Sequence, residues 1–252
     1  MDDKISLIAD QIREGGKNVV FTGAGISTES GIPDYRSQGG IWDKFRPVYF
    51  DEFMSARESR EEYWRRWLEL YKGIQQARPN AGHTAIARLE QMGFLEALIT
   101  QNVDGLHQES GVADEKIIEL HGNTRRVRCM SCRSIVSTEE TLKRLQSGDA
   151  APECGCGGYL KPDTISFGQA MPVEAVEKAT ALSLSSDFFL VVGSTLLVQP
   201  AAHMPVYAKQ NNAFLAIINL SDTPCDNICD VLIRDKAGDV LQQVVEEVEK
   251  SG

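Results

Sequence analysis

The chain has 252 residues, enough for one large domain, or a large and a small one, with a sizeable core. Apolar residues make up 42% and charged residues 25%; the net charge of −10 excludes the clustered basic surface of a nucleic-acid binder. Met1-Asp2-Asp3-Lys4 has neither a basic n-region nor an apolar h-region, and no apolar run approaches the ~20 residues of a membrane span. The expectation is a cytoplasmic protein with no membrane and no nucleic-acid partner, whose six cysteines are metal ligands or buried thiols rather than disulfides.

Ile5, Leu7, Ile8 and Ile12 follow a helical period, which predicts a helix over 3–14 ended by Gly15-Gly16. Val19–Phe21 reads as a buried strand running into a tight turn at Gly23-Ala24-Gly25, with Ile26, Ser27 and Thr28 opening a short helix. Glycines there let backbone approach a phosphate, and free N–H groups at a helix start attract anions. An ordinary strand–turn–helix connection is the plainer reading. A second cluster follows, Ser30-Gly31-Ile32-Pro33-Asp34-Tyr35-Arg36. Gly31 lies too far along for the dehydrogenase pattern Gly-x-Gly-x-x-Gly, so the segment looks like a dinucleotide loop serving something other than hydride transfer. Ser37-Gln38-Gly39-Gly40, tipped by Ile41-Trp42, reads as a lid over a ligand or as a surface loop pinned by Trp42.

Residues 51–76 read as helix, with Trp64, Trp67, Leu68 and Tyr71 forming one core-packing stripe. Pro79-Asn80 breaks the chain, Ala81–Met92 is a helix stopped by Gly93, and Leu95–Thr100 is a strand. Gln101-Asn102-Val103-Asp104-Gly105 follows at the strand's C-terminal end, where open α/β sheets place ligands. Asn102 and Asp104 suit a carboxamide ligand, or they cap a turn. Lys116–Leu120 is a further strand, ending in His121-Gly122 at the same crevice, and this position makes His121 a candidate general base. His83 reads as packing or capping, His107 is ambiguous, and His203 sits in a helix between prolines.

The stretch 125–160 interrupts this rhythm. It then resumes with a helix at 172–184, a strand at 187–192, Gly193-Ser194-Thr195, a helix at 200–210, a strand at 214–218, Asn219-Leu220-Ser221, a strand at 230–233 and a helix at 238–250. Alternating strands and helices predict an α/β fold with a doubly wound parallel sheet. Three strand ends bearing small polar residues fit a dinucleotide better than a single phosphate. Inside the interruption, Cys129-Met130-Ser131-Cys132 and Cys154-Gly155-Cys156 predict a tetrahedral zinc site. Four sulfurs close it to any reacting water, so the metal is structural. Cys225 and Cys229 lack partners at ligand spacing and read as buried thiols.

Taken together, Gly23-Ala24-Gly25-Ile26-Ser27, Ser30–Arg36, Gln101-Asn102-Val103-Asp104, Leu120-His121-Gly122, the four cysteines, Phe167-Gly168, Gly193-Ser194-Thr195-Leu196 and Asn219 resemble the sirtuin family of NAD-dependent protein lysine deacylases, in a minimal prokaryotic form. The resemblance implies a Rossmann-like domain over 1–36, 78–124 and 160–252. It also implies a smaller domain made of a helical module with the cofactor loop over 37–77 and a zinc ribbon over 125–159. NAD as co-substrate would lie along Gly23, Ala24, Gly25, Ile26, Asp34, Tyr35 and Arg36. Ser27, Asn102 and Asp104 would form a nicotinamide pocket, Gly193, Ser194, Asn219, Ser221 and Ala237 would hold the adenosine half, and Gln101, Val103, Thr195 and Leu220 would also contact the cofactor. His121 would be the base and Asn102 a catalytic partner.

The implied reaction has the acyl oxygen of an acetyl-lysine attack C1′ as nicotinamide leaves. His121 then helps deprotonate a ribose hydroxyl, and lysine and O-acetyl-ADP-ribose result. Peptides would bind by strand addition between Ile165–Gly168 and Leu196–Val198, to a monomer. Mono-ADP-ribosyl transfer to protein, or a non-catalytic NAD- or ADP-ribose-binding zinc module, are the competing readings. The chain departs from the usual pattern at Tyr35, Ser194-Thr195, Gln169 and the shortened Cys154-Gly155-Cys156. Relatives that prefer succinyl- or malonyl-lysine carry a Tyr-x-x-Arg pair. The alignment puts Trp67 and Leu70 there, which favours acetyl, although Tyr63 and Arg66 make such a pair one turn earlier.

Overall fold

A computed structural model describes residues 1–35, 40–41 and 46–250. Six parallel strands form the main sheet: β1 (Asn18–Thr22), β2 (Ala97–Thr100), β3 (Ile117–Glu119), β7 (Phe188–Val192), β8 (Phe214–Ile218) and β9 (Val231–Ile233). Their order is β3-β2-β1-β7-β8-β9. Such short apolar runs, Val-Val-Phe in β1 and Phe-Phe-Leu-Val-Val in β7, are what a sheet covered on both faces demands, and all five residues of each are buried.

Side-chain alternation splits the core. Val20, Leu98, Leu190 and Ala216 point toward α1 (Asp2–Glu14), α4 (Ala81–Gln91) and α9 (Ala237–Lys250). Phe21, Ile99, Phe189, Val191 and Ile217 point toward α7 (Val173–Ser185) and α8 (Met204–Gln210). The doubly wound, Rossmann-like expectation is met. The direction of winding reverses between β1 and β7, and the loops leaving these two strands meet there.

A second layer is antiparallel: β4 (Gly122–Cys129), β5 (Ile135–Ser137) and β6 (Leu160–Thr164), in the order β5-β4-β6. β4 and β6 begin or end at 122 and 164, so the stretches 122–124 and 160–164 pair within this small sheet. Trp64 and Trp67 of α3 (Arg57–Gln76), with Leu68 and Tyr71, cover Val127, Cys129 and Leu160. The stripe expected from spacing is therefore the cover of this second layer. Trp67 stacks on Tyr71 at 4.3 Å between ring centroids and donates its Nε1–H to Thr124 Oγ1 at 2.7 Å.

The single helix expected over 51–76 is two, α2 (Phe50–Ser55) and α3, separated by Ala56 in extended conformation. Glu52 caps α2 through the Tyr49 amide, and the buried Arg60 guanidinium takes up the Phe53 carbonyl at 3.0 Å. The side chains that satisfy this break are local but polar, so apolar periodicity does not reveal it. The remaining helices are α5 (Leu106–Glu109) and α6 (Thr138–Gln146), and the 200–210 segment opens with a 3-10 turn at Ala201–His203. Among the described residues no helix is long and apolar enough to cross a membrane.

Candidate active site

At the winding reversal, β1 runs into Gly23 and a 3-10 helix over Ala24–Ser30. The Gly23 amide donates to Val192 O at 3.0 Å, and Gly25 to Gly193 O at 2.8 Å. A Cβ on Gly25 would lie 2.8 Å from Gly193 Cα, and one on Gly193 2.4 Å from the Ile26 nitrogen. The glycines thus let two backbones touch. The amides of Gly23, Gly25 and Ile26 are all used by protein carbonyls.

Around this junction the expected ligand-facing groups gather. Ser27, almost wholly buried, donates to Asp104 Oδ2 at 2.8 Å, and Asn102 Nδ2 donates to Ser27 Oγ at 3.2 Å. Asp104 Oδ1 accepts from the Leu106 amide at 2.9 Å, which anchors the carboxylate at the start of α5. Ser194 Oγ donates to Gln101 Oε1 at 2.7 Å, tying the β7 loop to the β2 loop. Beneath them, Thr22 donates to Thr100, which accepts the Asn102 amide at 3.0 Å.

His121 follows β3 and stands beside this cluster, half-buried, with Nδ1 3.0 Å from Gln101 O. A carbonyl accepts only, so Nδ1 carries the proton and Nε2 is left with its lone pair. Burial holds the imidazole below its usual pKa, with the Gln101 carbonyl pulling the other way. The ring is therefore neutral at neutral pH and able to accept a proton.

The other expected residues are spread around the cleft. Ile26 is fully buried, and Val103 O accepts the Thr124 amide. Asp34 O accepts the Ile41 amide, while Tyr35 is partly exposed and Thr195 half-buried. Asn219 uses its side-chain amide within its own loop, on Ser221 O at 2.8 Å and Ser221 Oγ at 3.2 Å; Leu220 is exposed. Ala237 starts α9, whose Gly238 amide donates to Glu29 at 3.1 Å. Arg36 and the lid expected around Trp42 lie outside the described residues.

Two supports escape a sequence reading. Asn80, read only as a chain break, caps α4 and also donates to Ile26 O at 2.7 Å and Ser30 Oγ at 2.9 Å, so it straps the loop down. An Asn before Ala-Gly-His is an N-cap signal that was legible; its second bond was not. His107 lies buried behind Thr22, with Nε2 2.9 Å from the hydroxyl, and is a structural histidine like His83.

At the far end of β4, the Sγ atoms of Cys129, Cys132, Cys154 and Cys156 lie within 4.8 Å of one another, with 3.6 Å for Cys129–Cys156 and 3.8 Å for Cys132–Cys154. A tetrahedron with Zn–S bonds of about 2.3 Å has edges of about 3.8 Å, so the residues fit zinc despite the shortened second pair. Gly158 is required beside it, because a Cβ there would lie 2.6 Å from Cys129 Sγ. Cys225 is buried away from this cluster, which pushes its thiol up to about 11.

Residues 23–200 match the model of the Sir2 family. The chain belongs to the Sir2 family. An NAD-dependent protein deacetylase 1 from Bradyrhizobium diazoefficiens is 47% identical over 238 residues, covering 94% of this chain and 93% of its own length. An NAD-dependent protein deacetylase from Thermodesulfovibrio yellowstonii is 42% identical, covering 98% and 96%. Among solved structures, a Sir2–p53 peptide–NAD+ complex superposes with a TM-score of 0.86 at 36% identity, covering 94% of this chain and 95% of that one. A Sir2 enzyme structure on mechanism and regulation superposes at 0.89 with 38% identity over both whole chains. The Sir2 fold and its four-cysteine cluster are thus both present in this chain.

Proposed function

We propose that this Sir2 protein is an NAD-dependent protein lysine deacetylase that yields nicotinamide, O-acetyl-ADP-ribose and the free lysine. The observation that carries this is His121, neutral and held by the Gln101 carbonyl beside the Ser27–Asn102–Asp104 cluster. A sensor that only bound NAD would need no such base. The Sir2 relatives named as deacetylases support the same reading.

NAD supplies the electrophilic ribose carbon and the leaving nicotinamide. The chain supplies positioning and proton handling. Asn102 and Asp104 are the polar groups that orient a carboxamide, and the Ser27 hydroxyl holds both in place. His121 Nε2 takes up the proton of a ribose hydroxyl, and Nδ1 stays bonded to Gln101 O throughout. Gly23 to Ser27, Asp34 and Tyr35 serve the pyrophosphate and ribose, and Arg36 is assigned to the same ligand. Gly193 to Thr195, Asn219 to Ser221 and Ala237 hold the adenosine half. The two domains are the six-stranded sheet with its helices and the zinc layer with α2 and α3, and zinc serves only to hold the latter.

The acyl-lysine peptide binds as a strand beside Ile165–Gly168 and Leu196–Val198. Supporting this, β6 is an edge strand of its sheet, and the exposed Phe167 and Leu197 lie on the two flanking segments. The acyl group is acetyl. Trp67 is buried against Thr124, and Arg66 is tied to Glu62 at 2.5 Å, which holds that guanidinium on its own helix rather than toward an acyl chain.

Incubation with NAD and an acetyl-lysine peptide, followed by nicotinamide release and peptide mass, tests this. Coupled release and deacetylation are expected. NAD binding without turnover sinks it, and ADP-ribose found on protein points to the transferase instead.

A further inference from the structure

Lys161 is the least conventional side chain in the molecule. It is fully buried, yet among the described residues no carboxylate pairs with it. Buried lysines almost always have such a partner, because an ammonium removed from water is costly. Here Nζ donates to Thr164 O and, at 3.4 Å, to Pro162 O, and it lies 5.2 Å from the centroid of the Tyr63 ring. Tyr63, on α3, places its hydroxyl 3.3 Å from Thr164 Oγ1.

Two of these bonds, from Lys161 Nζ and from the Tyr63 hydroxyl, meet on Thr164, the last residue of β6. Thr164 pairs in register with Gly122, immediately after His121. The next amide, Ile165, donates to His121 O at 2.9 Å, and Phe167 O accepts the Phe50 amide of α2 at 2.9 Å. One stretch of backbone, 164–167, therefore joins the base, the helical module and the edge proposed for the peptide. Inside the sheet such a strand end would be held by ladder bonds on both sides. As an edge strand it has them on one side only, and the ammonium supplies the missing restraint on Thr164.

We propose that Lys161 is a positioning residue for the deacetylation: its buried ammonium clasps the end of β6 and so holds residues 165–167 extended for the peptide and fixed against His121. This rests on the strand-addition reading above.

The test compares wild type with K161M and K161R. Met fills a similar volume without charge, so K161M removes the donor to Thr164 O and Pro162 O while keeping the packing. Hydrogen exchange of the Ile165 and Phe167 amides probes the clasp whether or not the protein deacetylates. K161M is expected to exchange about tenfold faster at Ile165 than wild type, with K161R close to wild type. Unchanged Ile165 exchange in K161M overturns the proposal.

Steady-state kinetics then read the consequence. K161M raises the peptide KM by about tenfold and leaves the NAD KM within twofold, and K161R restores most of the loss. Equal rises in both KM values with a lowered Tm mean a merely structural lysine and also overturn it. Should K161M fail to fold, Tyr63→Phe removes the hydroxyl that meets Thr164, Ser166 and Lys161 and is expected to raise the peptide KM about threefold; no rise counts against the clasp. Backbone N-methylation of the peptide beside the acyl-lysine tests strand addition separately in the wild type. If binding survives methylation while K161M still loosens Ile165, the docking mode is wrong and the clasp stands.

Discussion

In the six-stranded sheet, β1 and β7 bury every residue, and both faces are covered by apolar helix stripes. In the three-stranded layer, β5 is largely exposed and β4 alternates in its second half. Among the described residues its apolar core is Trp64, Trp67, Val127, Cys129, Leu145 and Leu160 with a few partly buried neighbours. What the small layer lacks in apolar burial it replaces with four thiolates around one metal position and with ion pairs, Arg128 on Asp163 at 2.6 Å and Arg126 on Asp163 at 3.2 Å. Such partly exposed pairs contribute little, on the order of 0–1 kcal/mol each, so metal coordination is the main force holding this layer together. The large layer should stand by hydrophobic burial alone, the small one by coordination. His121 sits on the junction, where β3 of one hands over to β4 of the other.

The most damaging way to probe this difference is Cys132→Ser. Bound zinc and deacetylation should both fall to background. Hydrogen exchange should deprotect β4 to β6 while β1 and β7 stay protected; cooperative loss of all strands would show that the layers are not independent. Next in size is His121→Ala, expected to lower kcat by at least 100-fold. Its Tm should stay within about 2 °C of wild type, since the ring's one bond is to a backbone carbonyl. A variant with near-normal turnover would remove His121 from the chemistry. Third, Phe189→Ala, in the middle of the large core, should cost about 3–5 kcal/mol in urea unfolding with zinc content intact.

Acid should separate the layers more gently. Burial holds His83 down to about 4 and His107 well below its usual value, so in the folded state both stay neutral where the unfolded chain binds protons. Stability is then fully present above about pH 6.5 and declines as pH falls toward about 4, a slope that His107→Asn should flatten. Turnover should fall over part of the same range as His121 gains its proton, at a pKa below that of free histidine. The smallest effect is expected from Asn80→Ala, about 1 kcal/mol from the lost cap. Because Asn80 also straps Ile26 and Ser30, that variant should show a higher KM for NAD than for peptide, relative to wild type. Equal KM values would make Asn80 a cap and nothing more.

Much of this molecule is readable along the chain. The buried strands are short β-branched and aromatic runs bounded by glycine or polar residues, and their alternation with amphipathic helices dictates a parallel sheet with two covered faces. The cysteine spacing dictates one metal position, because close pairs of thiolates have few other uses in such a chain. The positions of His121, Asn102 and Asp104 at strand ends follow from the same periodicity.

Tertiary structure decided what those residues do to one another. Gly23, Gly25 and Gly193 spend their freedom on each other's backbones, and that contact joins segments separated by the whole β2–α7 stretch. The break at Ala56, the strap from Asn80 and the clasp of Lys161 are all polar bonds to backbone carbonyls. Apolar periodicity records which side of an element faces the core. It carries no record of which distant carbonyl a buried donor will find, because that depends on where two elements come to rest after the core has packed.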